Sequence, residues 1–170
     1  MKELRDAAVE ALQEVQQLVK ACNGKHYNQP CTHSESGIGR HVRHILDHFC
    51  ALQDGLQRDL INYNCRHRDS SIEDNPTIAL ALIVEMQQWL MQADNDLCER
   101  AIKIETEVSL SQQKNMRFMS SLSRELCYLI NHTVHHVAYA KLVAQHLGIE
   151  IDGAIGVAPS TASYFRQKNN

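Results

Sequence analysis

Residues 102–120, IKIETEVSLSQQKNMRFMS, are the stretch of this chain in which apolar residues abandon helical spacing. Ile102 and Ile104 alternate with charged neighbours, and Val108, Met116 and Phe118 extend the apolar set across a polar centre. Period two is strand spacing, so the stretch predicts a short hairpin or an irregular crossover. The fold class turns on how this exception weighs against its surroundings, which read as helix.

Outward from it, apolar positions recur at alternating steps of four and three in four segments, the pattern of helices that share a core. The first runs Leu4, Ala8, Ala11, Val15, Leu18, Cys22 and stops at Asn23-Gly24. The second runs Ile38, Val42, Ile45, Phe49, Leu52, Leu56. Pro76 suits the first position of the third, which continues through Ala79, Ile83, Met86, Leu90, Ala93 and Leu97. The fourth opens near Ser121 or Ser123 and runs Leu122, Leu126, Leu129, Thr133, His136, Ala140, Val143, Leu147, ending before Gly148. Helices over 3–22, 37–61, 76–101 and 121–147 predict an all-α four-helix bundle, with 102–120 as the crossover into the last helix. At 170 residues the chain suits a single domain over 1–170, closed by an ordered tail carrying GVAPST.

The net charge of −3 gives no electrostatic reason to bind nucleic acid. The start, MKELRDAAVEALQEVQQLVKAC, lacks the apolar core of a secretory signal, and no apolar run is long enough to span a membrane. A cytoplasmic location is the expectation. The six cysteines form no CxxC pair and read as free thiols that pack as small apolar groups.

Helix two carries a second stripe beside its apolar one: Gly37, His41, His44, His48, Ala51, Gly55. Every member is histidine or very small, so a neighbouring backbone can approach while the imidazoles converge. Residues four apart lie about 40° apart around a helix, which places His41, His44 and His48 on one face and His132 and His136 on another. In NHTVHHVAY (131–139), His135 falls outside that pair. Two histidine faces on neighbouring helices are metal-site material, and neutral imidazole suits zinc, nickel or ferrous iron. Periodicity supports His132 with His136, whereas on helix two it favours His41 or His48 as the more inward side chains, with His44 at the centre of the small-residue stripe.

At these residues the chain resembles the DinB-like (DinB/YfiT) superfamily of metal-binding four-helix bundles. SGIGRHVRHILDHF (36–49) resembles its helix-two block, NHTVHHVAY its HxxxH on the last helix, and GIEIDGAIGVAPST (148–161) the closing segment of one branch. The resemblance implies a triad of His44, His132 and His136. The related sulfoxide synthases carry HxxxHxE, but Ala138 stands where that glutamate would be, so their oxygen chemistry is not implied.

Three nitrogens leave a coordination position open, the pattern of catalytic rather than structural sites. The resemblance implies a metal-dependent transferase, which can use a low-molecular-weight thiol, or a hydrolase acting on a small molecule. A metal-binding or stress-associated module without turnover is the alternative. His48 and His135 are candidates for a further ligand or pocket lining, and Asp47 and Glu125 for the acceptors that orient the imidazoles. The loop NYNCRHRDSSIEDNP (62–76) resembles an arginine-rich block of one branch, and Arg66 and Arg68 are candidate substrate anchors. The apolar faces can also support a homodimer.

Overall fold

The computed structural model describes residues 2–22, 24, 26–31, 36–65, 67–68, 70–92 and 100–168. Six helices and a three-stranded sheet occur among them: α1 (Lys2–Ala21), α2 (Ile38–Arg58), β1 (Leu60–Asn62), α3 (Ser71–Asp74), α4 (Pro76–Gln92), β2 (Ala101–Glu107), β3 (Asn115–Ser121), α5 (Leu122–His146) and α6 (Pro159–Lys168). The protein is therefore mixed α/β, and the all-α four-helix bundle expected from its apolar seams is corrected. The purely helical DinB-like architecture is corrected with it.

The seams do form helices. Leu12, Val15 and Leu18 of α1, Val42, Ile45, Phe49 and Leu52 of α2, Ile83, Met86 and Leu90 of α4, and Leu126, Leu129 and Val143 of α5 are all buried in one core. Burying each such side chain fully contributes about 1.5–3 kcal/mol. The helix starts follow local chemistry. Ser121 caps α5 by accepting from the Arg124 amide, and Asn75 Oδ1 accepts from the Thr77 amide, 3.0 Å away, just inside Pro76.

What helical periodicity missed lies at two element ends. The predicted second helix stops at Arg58, where Asp59 takes φ 55° and its amide bonds back to the Gly55 carbonyl. Leu60–Asn62 then runs parallel to Lys103–Glu105, with Ile61 opposite Ile104. Three residues are too few to show a period of two, so β1 hid at the end of a helical seam. The third helix was expected to reach 101, but Ala101 already pairs with Ser121. Ala93 and Leu97 lie outside the described residues. The alternation of Ile102 and Ile104 is that of a real hairpin, β2 antiparallel to β3, closed by the Val108 amide on the Lys114 carbonyl. Ile102 and Ile61 are buried, which ties the sheet into the helical core.

The small residues of the α2 stripe do admit close neighbours, but not the facing helix. A Cβ on Gly55 would stand 2.6 Å from the Ile61 Cα, and one on Gly37 2.7 Å from the Asn28 carbonyl carbon. Gly39 is tighter still: its amide donates to the Tyr27 carbonyl, and an added Cβ would collide with the Glu73 carbonyl oxygen and stand 2.8 Å from Tyr27 Cε1. Gly39→Ala is therefore expected to destabilise the fold by about 1–3 kcal/mol through backbone displacement. Urea denaturation checks this, and an unchanged midpoint would show that the segment yields freely.

The tail is ordered beyond a strap, since α6 closes it. Gly156 takes φ 75° and rests on Ala138, where a Cβ would meet backbone at 2.8 Å, and its amide donates to Glu14. Lys141 holds the same turn through the Gly153 and Ile155 carbonyls.

Candidate functional site

α2 and α5 pack together, and the histidines of both meet where they do. His44 Nε2 and His132 Nε2 stand 3.0 Å apart, and one ring nitrogen from each of His44, His132 and His136 lies within 4.8 Å of the other two. This three-histidine group could hold a metal ion. The spacing fits one: two imidazole nitrogens about 2.0–2.1 Å from a tetrahedral zinc are roughly 3.3 Å apart. Without a cation, one of the close pair must donate to the other; with one, both lone pairs can face it. All three side chains are half-buried, neither sealed in the core nor fully solvated.

His41 adds a fourth imidazole. Its Nδ1 is 3.2 Å from His136 Nδ1, a hydrogen bond that fixes the orientation of the His136 ring. Its Nε2 is buried with no hydrogen-bond partner among the described residues. Burial, and then the positive charges of His135 and Arg40, hold the His41 pKa below the ordinary histidine value, so the ring is neutral near pH 7. A half-satisfied buried imidazole costs stability, so this cluster is not explained by packing alone.

His48 is buried, and its Nδ1 meets the His44 carbonyl at 2.8 Å. Its ring centroid is 4.3 Å from that of His132 and stacks on Tyr63 at 5.3 Å, so it walls the cluster. His135 is exposed, with its ring 5.3 Å from His136 at the rim.

The two carboxylates point elsewhere. Asp47 is buried and bonds Arg43 at 2.8 Å and His67 Nδ1 at 2.9 Å, holding His67 against α2. Glu125, 2% exposed, accepts from Tyr63 at 2.7 Å and from the Ser120 hydroxyl. It reaches the cluster through Tyr63, which stacks on His48. Burial, followed by the Glu125 charge it donates to, raises the Tyr63 phenol pKa and keeps it a proton donor. Arg66 lies outside the described residues, and Arg68 is exposed on the loop. Tyr63 and Arg124 went unnoticed in the sequence because neither lies in a histidine motif; the four-step spacing of Arg124 and Tyr128 to His132 was the available signal. Cys22, Cys31, Cys50, Cys65 and Cys127 are free, and burial pushes the Cys22 thiol up to about 12.

No family model matches the sequence, and no solved structure matches it. The chain is 26% identical over 109 residues to FK506-binding protein 5 of Rhizopus delemar, a match that covers 64% of this chain and 28% of that protein. The DinB-like resemblance is thus overturned, by that distant partial match and by the sheet in the fold. No helix of the described residues is long and apolar enough to cross a membrane.

Proposed function

We propose that this chain binds one divalent metal ion through His44, His132 and His136 and uses it in transferase or hydrolase chemistry on a small molecule. The convergence of three ring nitrogens within 4.8 Å carries this reading. Zinc, nickel and ferrous iron all suit an imidazole set. When bound, such an ion supplies Lewis acidity, an activated water or a seat for the thiolate of a low-molecular-weight thiol. The chain's own residues do the rest. His41 orients His136, Tyr128 stacks on His132 at 5.4 Å and His48 lines the inner wall, while the half-burial of the three ligands supports access from solvent. FK506 binding is not carried over from the Rhizopus protein, because the match takes in too little of its length.

The test is metal content of the purified protein, followed by thiol-transfer and hydrolase assays after reconstitution with each metal. Expected are near-stoichiometric metal and turnover with at least one ion. Full loading with no turnover under any ion, and no exchangeable water on the metal, would make this a non-catalytic metal-binding module.

A further inference from the structure

Along α5, the residues at steps of four from His136 toward the helix start are His132, Tyr128 and Arg124. They form a ladder. The His132 and His136 rings are 4.5 Å apart, Tyr128 stacks on His132 at 5.4 Å with the planes 27° apart, and the Arg124 guanidinium carbon lies 5.7 Å from the Tyr128 ring centroid. Two adjoining clefts share Arg124 and Tyr128. One, about 190 Å³, is walled by Tyr63, Ile104, Thr106 and Glu125; the other, about 250 Å³, by Cys127 and Asn131. A cation, an aromatic face and a vacant cleft therefore stand one ring away from a proposed metal ligand.

The guanidinium is available to a ligand. Its side chain is 63% exposed, and its contact with Glu125 is long, 3.9 Å. The Glu125 carboxylate is already served by the Tyr63 and Ser120 hydroxyls, so it does not require Arg124. That same buried carboxylate weakens the positive potential at Arg124. A singly charged carboxylate can still be held by the planar fork of donors, whereas a doubly charged phosphate is opposed by Glu125.

We propose that Arg124 and Tyr128 form the anchoring subsite of the histidine centre and select small organic acids. The carboxylate pairs with Arg124, and the body of the acid lies in the cleft beside Tyr128, one ring from His132. The inference rests on the metal reading for its purpose but not for its detection, because the anchor is built from residues that are not ligands.

The experiment titrates benzoate, its neutral isostere benzamide, and phenyl phosphate against metal-free and zinc-loaded protein, followed by saturation-transfer NMR. Benzoate is expected to bind both forms, and more tightly than either of the other two. Arg124→Gln is expected to raise the benzoate Kd at least about tenfold with an unchanged melting temperature, since an exposed side chain is removed. Arg124→Lys should recover only part of the binding, because the point charge lacks the fork. Benzoate affinity that is indifferent to Arg124→Gln, or phenyl phosphate that binds more tightly than benzoate, overturns the proposal. Arg124-dependent benzoate binding in a protein that takes up no metal would instead leave the anchor standing and remove the three-histidine reading.

Discussion

His132→Ala is expected to lower divalent-metal affinity by more than roughly 100-fold, so that the purified variant carries little metal where the parent carries nearly one ion per chain. The magnitude follows from rank, since loss of an outer partner alone costs 10–100-fold and a ligand costs more. His132 has its Nε2 at 3.0 Å from that of His44 and its ring 4.5 Å from that of His136. His44→Ala and His136→Ala should behave alike. His41→Ala, which removes the hydrogen bond to His136 but no proposed ligand, should fall within the 10–100-fold range. Uptake should also weaken at acid pH, because protonated imidazole cannot ligate. Elemental analysis and competition against a chromophoric chelator measure all of these. Full metal content in the three ligand variants would remove the site.

The largest expected effect on stability lies away from the histidine cluster. Arg43, 6% exposed, donates from Nε to Glu73 and from Nη1 to Asp47, each at 2.8 Å, and Asp47 in turn holds His67. These buried ion pairs, with the His67 hydrogen bond, fasten α3 and His67 onto α2. Arg43→Ala leaves Asp47 buried without its cation, and breaking such a pair costs about 3–5 kcal/mol. The melting temperature should fall by on the order of 10 °C. Arg40 provides the contrast. It meets the same Glu73 at 3.8 Å but is 53% exposed, so Arg40→Ala should cost no more than about 1 kcal/mol. Thermal unfolding followed by circular dichroism compares the two, and equal small losses would show that the loop is not held by these charges.

The Asp47 network also shows why this site was only partly legible beforehand. Asp47 follows His44 by three residues, close enough to suggest a partner for an imidazole. Which way it faces depends on Arg43, one turn earlier on α2, and on His67, which comes from beyond β1 and carries no local signal. Glu125 lies two turns from His132 on the same face, yet Tyr63 reaches it first, from beyond β1.

The helical segments themselves were set by local chemistry: four-three spacing of apolar residues, Pro76 at a helix start, Ser121 as a cap. So was the pair His132 and His136, because i to i+4 spacing alone puts both on one face. Tertiary structure decided the fold class, since β1 is three residues long and gains its partner only when Ile61 comes opposite Ile104. It also decided which α2 histidine meets that pair. Spacing favoured His41 or His48 as the more inward side chains of that face, and only the packing of α2 against α5 brings His44 Nε2 to His132, while it sends His41 behind His136 and His48 toward Tyr63. A helix can specify a face by its own geometry, but the point on that face where another helix crosses depends on the packing of the whole core.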